Sequence, residues 1–283
     1  MKTYLDCIPC FIRQTLDAVR VVTDEFAVQE TMLRDVLRLT SEMDLSQSPP
    51  RIGQLIHRRL RELTGNKDPY AEVKKRFNTM ALEMLPELRS RIKAAEDPFT
   101  AAVRLAITGN IIDFGPKSNV TEKDALDAIE TALSDPLYGD AAAFREMVEN
   151  ASSILYIGDN AGEIMFDRLL IEQLPLKRVT FAVRGAPVIN DAVYEDAEQA
   201  GLTHLVDVID SGSDAPGTLL EDCSEEFIRN FRAADIIIAK GQGNFETLSE
   251  SDGNMVFLFK AKCPVIASHA GTKLGAQVLW HKK

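Results

Sequence analysis

From about residue 150 onward, short apolar runs rich in β-formers alternate with spacers long enough for a helix, and this rhythm restricts the fold more than any other feature. The runs lie at 154–157, 178–183, 204–209, 235–239, 255–260 and 264–267. Strands alternating with helices form a parallel sheet covered on both faces. Before residue 150 the period is different. Ile8, Phe11, Ile12, Val19 and Val22 recur at helical spacing. Comparable patterns cover 27–43, 51–64, 70–94, 98–108 and 121–134. Thr121 with Asp124 reads as a capping box opening the last of these, and Pro49-Pro50 and Asp97-Pro98 punctuate the others. The expected fold class is α/β. A helical N-terminal region, residues 1–148, would cover the active site, and residues 149–283 would form a Rossmann-like, mainly parallel α/β/α sheet.

In open parallel sheets, ligands bind beyond the carboxyl ends of the strands. The sequence puts polar side chains at that address repeatedly. Gly158-Asp159-Asn160-Ala161-Gly162-Glu163 follows the first run, and Arg184 to Asp191 follows the second. A Gly/Ser/Asp stretch, 210–218, follows the third, and Lys240-Gly241-Gln242-Gly243-Asn244 follows the fourth. Asp159 and Asn160 are natural helix N-caps, and Asp191 suits a first helical turn. Taken together on neighbouring strands, the three supply the oxygen donors that hard divalent cations prefer. Glu163 suits a base, a substrate ligand or a helix-start acid. Gly241 and Gly243, ahead of a helix, suit an anion-binding turn, with Lys240, Arg184 and Lys260 as counter-charges.

Several chemistries lack their motifs. No G-x-G-x-x-G follows the first run, no Walker A sequence or G-x-S-x-G is present, and the four histidines form no zinc-protease pattern. Asp113-Phe114-Gly115 has kinase letters without the kinase context. A formal net charge of −11 argues against nucleic acid, which is bound by neutralising phosphates, but leaves a small phosphorylated metabolite open. With no apolar run near the roughly 20 residues of a membrane helix and no signal region at Met1-Lys2-Thr3, a cytoplasmic location and no membrane partner are expected. Cys7-Ile8-Pro9-Cys10 fits a redox pair, half of a metal site or two thiols at a helix start.

At these residues the chain resembles the damage-control phosphatase family, in the microbial branch that opens with C-x-x-C. The likeness runs through Leu5 to Gln14, Gly109-Asn110-Ile111-Ile112-Asp113, Gly158 to Glu163, Arg184 to Asp191 and Lys240 to Glu246. It implies that Asp159, Asn160 and Asp191 ligate a divalent cation: Mn²⁺, Mg²⁺, Co²⁺ or Ni²⁺. It also implies that Glu163, Arg184, Asn190, Lys240 and Asn244 surround a substrate phosphate, with Asn110 and Asp113 closing over it from the helical half. Metal-dependent phosphomonoester hydrolysis is the expected activity, with Asp159, Glu163 and Asp191 as the catalytic residues. An S-adenosylmethionine-dependent carboxyl methyltransferase and a non-catalytic metal- and phosphometabolite-binding protein are the alternatives.

Overall fold

Strands buried on both faces read as unbroken apolar runs, and those runs are where this sheet forms. The computed structural model describes residues 1–109, 129–131 and 133–282. Asn110, Asp113 and the Thr121–Asp124 box lie outside the described residues. Among those described, seven strands form one sheet in the order β1-β7-β6-β5-β2-β3-β4. They are β1 (Leu137–Tyr138), β2 (Ile154–Ile157), β3 (Val179–Val183), β4 (Asp207–Asp210), β5 (Ile236–Lys240), β6 (Met255–Lys260) and β7 (Gln277–His281). Neighbours run parallel except β6 and β7.

Successive side chains on a strand point to opposite faces. Ile154, Tyr156, Phe181, Val183, Ile236 and Ile238 bury against residues of the helices Ala71–Ala94, Pro98–Thr108 and Glu163–Ile171. Leu155, Ile157, Ala182, Ile237 and Ala239 pack on the other side with Phe227, Phe231, Phe245 and Ile266. The α/β/α layering expected from the period is therefore present. The helices Cys7–Val22, Phe26–Glu42 and Pro49–Thr64 surround a smaller cluster of their own, which includes Phe11, Val19, Met32, Ile56 and Leu60. The prolines read as punctuation open helices. Pro49 and Pro50 occupy a first turn, and the Asp97 carboxylate caps the next such helix by accepting from the Thr100 amide.

Residues 264–267, expected as a strand, form the helix Pro264–His269. A four-residue apolar run does not declare its period, and Pro264 suits the first helical turn. The strand beside β6 is instead β7, folded back antiparallel. His269 accordingly lies at a helix end, with its ring centroid 5.5 Å from that of Phe245, and not on the strand-end rim. Leu137–Tyr138 adds an edge strand too short for its pattern to be read.

His57, in the helix Pro49–Thr64, is 6% exposed and stands edge-on to Tyr70. Burial, helped by Arg61, pushes its imidazole from 6.5 down to about 4. A base with a depressed folded pKa adds its full stability above the unfolded value and loses it as pH falls toward the folded one. Chemical denaturation between pH 6.5 and pH 4 should therefore show about 3 kcal/mol of acid destabilisation from this residue, absent in His57→Phe. An unchanged pH slope in that variant would refute the assignment.

Candidate metal and phosphate site

β2 pairs with β3 on one side and β5 on the other, so the strand order reverses beside β2. A crevice at the carboxyl ends is expected at that switch point. The chain leaves β2 at Gly158, β3 at Arg184 and β5 at Gly241. The loop after β3 doubles back to form an antiparallel bridge between Asn160 and Asp191. In that bridge the Ala161 amide donates to Asn190 O at 2.9 Å and the Ala192 amide to Asp159 O at 2.8 Å. Asp191 is reached through a turn closed by its own amide donating to Val188 O, with Ile189 at φ 45°. A β-branched residue in left-handed conformation costs about 1–2 kcal/mol, strain that is held here two residues before Asp191.

Arg184, 2% exposed, holds the carboxylates together. Its Nε donates to Asp191 Oδ2 at 2.6 Å, its Nη2 to Asp159 Oδ1 at 3.2 Å and its Nη1 to Asn244 Oδ1 at 3.2 Å. Asn160 Nδ2 donates to Asp159 Oδ2 at 3.0 Å and to Glu163 Oε2 at 2.8 Å. Asn160 Oδ1 accepts no hydrogen bond among the described residues. Burial, then the Asp191 and Glu163 carboxylates, hold the Asp159 carboxyl well above the usual range, against the pull of Arg184 and Lys262. Burial also raises Asp191, resisted by Arg184. Two acids thus share one buried guanidinium, and Glu163 joins them through Asn160.

The other expected site residues fall around this centre. Lys240 is wholly buried, with its ammonium turned inward. It donates to Ala106 O and Glu163 Oε1, each at 2.7 Å, and to Asp167 Oδ1. Asn244 works as a staple between strand ends. Its Nδ2 donates to Gly158 O at 3.2 Å and Lys240 O at 2.7 Å, while its Oδ1 accepts from Arg184 and from Thr218 Oγ1. Asn190, half-buried, contributes its carbonyl to the bridge. Gly241 and Gly243 open the helix Gly241–Leu248. Gly241 has φ 77°, and a Cβ there would overlap the Asp159 carboxylate. A Gly241→Ala protein should consequently lose about 3 kcal/mol, from left-handed strain plus steric displacement of Asp159. Denaturant titration checks this, and a loss below about 1 kcal/mol would contradict it.

Sequence reasoning missed four residues here. Asp167 sits one turn beyond Glu163, and its signal was a lone acid, followed by Arg168, in the mostly apolar stretch Ile164 to Ile171. Asn78 Oδ1 accepts from the Gly162 amide at 2.6 Å, which pins the first turn to the helix Ala71–Ala94. Thr218 and the exposed Lys262 complete the surroundings. Cys7 and Cys10 are free thiols at a helix start, and among the described residues no three His, Cys, Asp or Glu side chains are grouped as a metal-ligand set.

Fold and site together define an α/β protein with an acid-lined, oxygen-rich centre at the switch point of a mainly parallel sheet. The sequence matches the damage-control phosphatase ARMT1-like domain over residues 3–278, and the chain belongs to that family. A damage-control phosphatase from Pyrococcus horikoshii is 38% identical over 289 residues, spanning 100% of this chain and 99% of that one. An uncharacterized protein from Methanocaldococcus jannaschii is 36% identical, spanning 99% and 95%. A damage-control phosphatase from Archaeoglobus fulgidus is 33% identical, spanning 98% of each. The crystal structure of a DUF89 family protein from Pyrococcus horikoshii superposes with a TM-score of 0.92 at 37% identity, covering all of both chains.

Proposed function

We propose that this protein is a metal-dependent phosphatase acting on small phosphomonoester metabolites such as sugar phosphates, nucleotides or damaged phosphometabolites. Family membership and two relatives that bear the phosphatase name support the class of reaction. The observation that carries the metal dependence is the convergence of Asp159, Asp191 and Glu163, with Asp159 held well above its ordinary range by burial first and then by its acidic neighbours. Buried like charges are costly unless a cation joins them. The donors are two carboxylates and the Asn160 amide oxygen, which suits Mg²⁺ or Mn²⁺ and tolerates Co²⁺ or Ni²⁺. When bound there, a divalent cation supplies Lewis-acid charge and an acidified water.

The chain's own residues do the rest. Arg184 keeps Asp159 and Asp191 at a fixed separation, and Asn160 holds the Asp159 and Glu163 carboxylates apart with its two N–H groups. The backbone amides of Gly241 to Gly243, at a helix start, offer donors and positive dipole to phosphate oxygens. Lys262, exposed and near enough to Asp159 to act on its charge, adds a cation at the mouth. Phosphoryl transfer depends on such positioning and charge neutralisation more than on covalent protein chemistry. The test is p-nitrophenyl phosphate hydrolysis by metal-stripped protein, with each divalent cation restored in turn. Cation-dependent release supports the reading. No release with any cation, from protein shown to be folded, would overturn it, and S-adenosylmethionine binding would point to methyl transfer.

A further inference from the structure

An ammonium has three N–H bonds, and Lys240 spends all three inside the protein, on Ala106 O, Glu163 Oε1 and Asp167 Oδ1. Nothing on that side chain is left for a substrate. Its partner Asp167 is 0% exposed, and its Oδ1 also accepts from Tyr156 Oη at 2.8 Å. Its Oδ2 has no hydrogen-bond partner among the described residues. Leaving a buried carboxylate oxygen unsatisfied is costly, so an acid at this point calls for a reason beyond packing.

Following the bonds outward supplies one. Lys240 grips Glu163 by Oε1, which leaves Oε2 to accept from Asn160 Nδ2 at 2.8 Å. With its amide nitrogen committed to Glu163 and Asp159, Asn160 has only Oδ1 to offer a cation. We infer that Asp167 is a positioning residue for the metal site: acting through Lys240 and Glu163, it fixes the Asn160 amide with its carbonyl oxygen presented as a ligand. The inference rests on the metal-dependent reading given above. Groups one or two bonds removed from a ligand commonly govern metal affinity in this way, because they set the ligand's orientation before the ion arrives. Asp167 and Glu163 stand one turn apart on a single helix, so the relay is rigid along its length.

The experiment is Mn²⁺ binding by isothermal titration calorimetry to metal-stripped wild type, Asp167→Asn, Glu163→Gln and the double variant. Asp167→Asn should raise the Mn²⁺ Kd about 10-fold. In the Glu163→Gln background the same substitution should change Kd little, because the path is already cut. A purely structural role would leave the two effects independent, and their product in the double variant would overturn the inference. So would an unchanged Kd in Asp167→Asn. If that variant fails to fold, Tyr156→Phe, which removes only the hydroxyl donor to Asp167, should weaken Mn²⁺ about 3-fold. An unaltered Kd there would count against the relay. Wild type that binds no Mn²⁺ would overturn the metal-dependent function itself, and the inference with it. Wild-type binding with unaffected variants would overturn the inference alone.

Discussion

An Asp191→Asn protein is expected to lose on the order of a thousandfold or more in cation-dependent turnover while melting close to wild type without metal. The two halves of this expectation have one cause. Burial first, and then charge repulsion from Asp191, raise the carboxyl of Asp159, so the acids that would hold the cation work against each other when it is absent. Replacing one with a neutral amide of the same shape removes that repulsion. It also weakens the 2.6 Å bond from Arg184 Nε, which becomes a bond to an uncharged oxygen. These changes oppose each other, and the metal-free stability should shift by no more than about 1 kcal/mol. Steady-state rates and differential scanning calorimetry in chelator check the pair of outcomes. Full activity in Asp191→Asn, or a collapse of metal-free stability, would contradict it.

The second large effect concerns folding. Lys240→Met keeps the volume of the side chain but leaves Glu163, Asp167 and the Ala106 carbonyl without their donor. Removing one member of a buried ion pair strands the other charge, at a cost of about 3–5 kcal/mol. For a chain of this size the melting midpoint should fall on the order of 10 °C. Both carboxylates are at most 1% exposed, so water cannot repair the loss. Adding Asp167→Leu should recover part of the midpoint, because one of the stranded charges is gone. Tyr156 then loses its acceptor, which keeps the recovery incomplete. A double variant less stable than Lys240→Met alone would show that the network is held together in some other way.

Much of the fold was legible because its signal is local. The run 255–260 coincides with β6 and the run 154–157 with β2, since strands buried on both sides read as nearly continuous apolar runs. Asp159, Asn160 and Asp191 could be grouped before any coordinates, because parallel strands deliver their following loops to one edge. The stretch 264–267 misled for the opposite reason: four apolar residues serve a buried helix as well as a strand. Asp167 and Asn78 were missed because each lies inside a helix, where a polar residue ordinarily faces water. Their partners Lys240 and Gly162 lie 73 and 84 residues away.

By itself the sequence determined the helical first half, most of the strands, the mainly parallel sheet and the rim on which acids, amides and glycines gather. Those follow from periodicity and from the geometry of βαβ connections, which operate over tens of residues at most. Which way Lys240 points was decided only in three dimensions. Its ammonium could meet a ligand at the strand end or turn back to Glu163 and Asp167, and both are compatible with its place after Ile236 to Ala239. Packing of the helices Pro98–Thr108 and Glu163–Ile171 on the sheet removes water from that position and leaves three oxygens there to be satisfied. Once water is gone, an unpaired buried charge costs more than any local preference can offset, and the long-range closure of the core sets the answer.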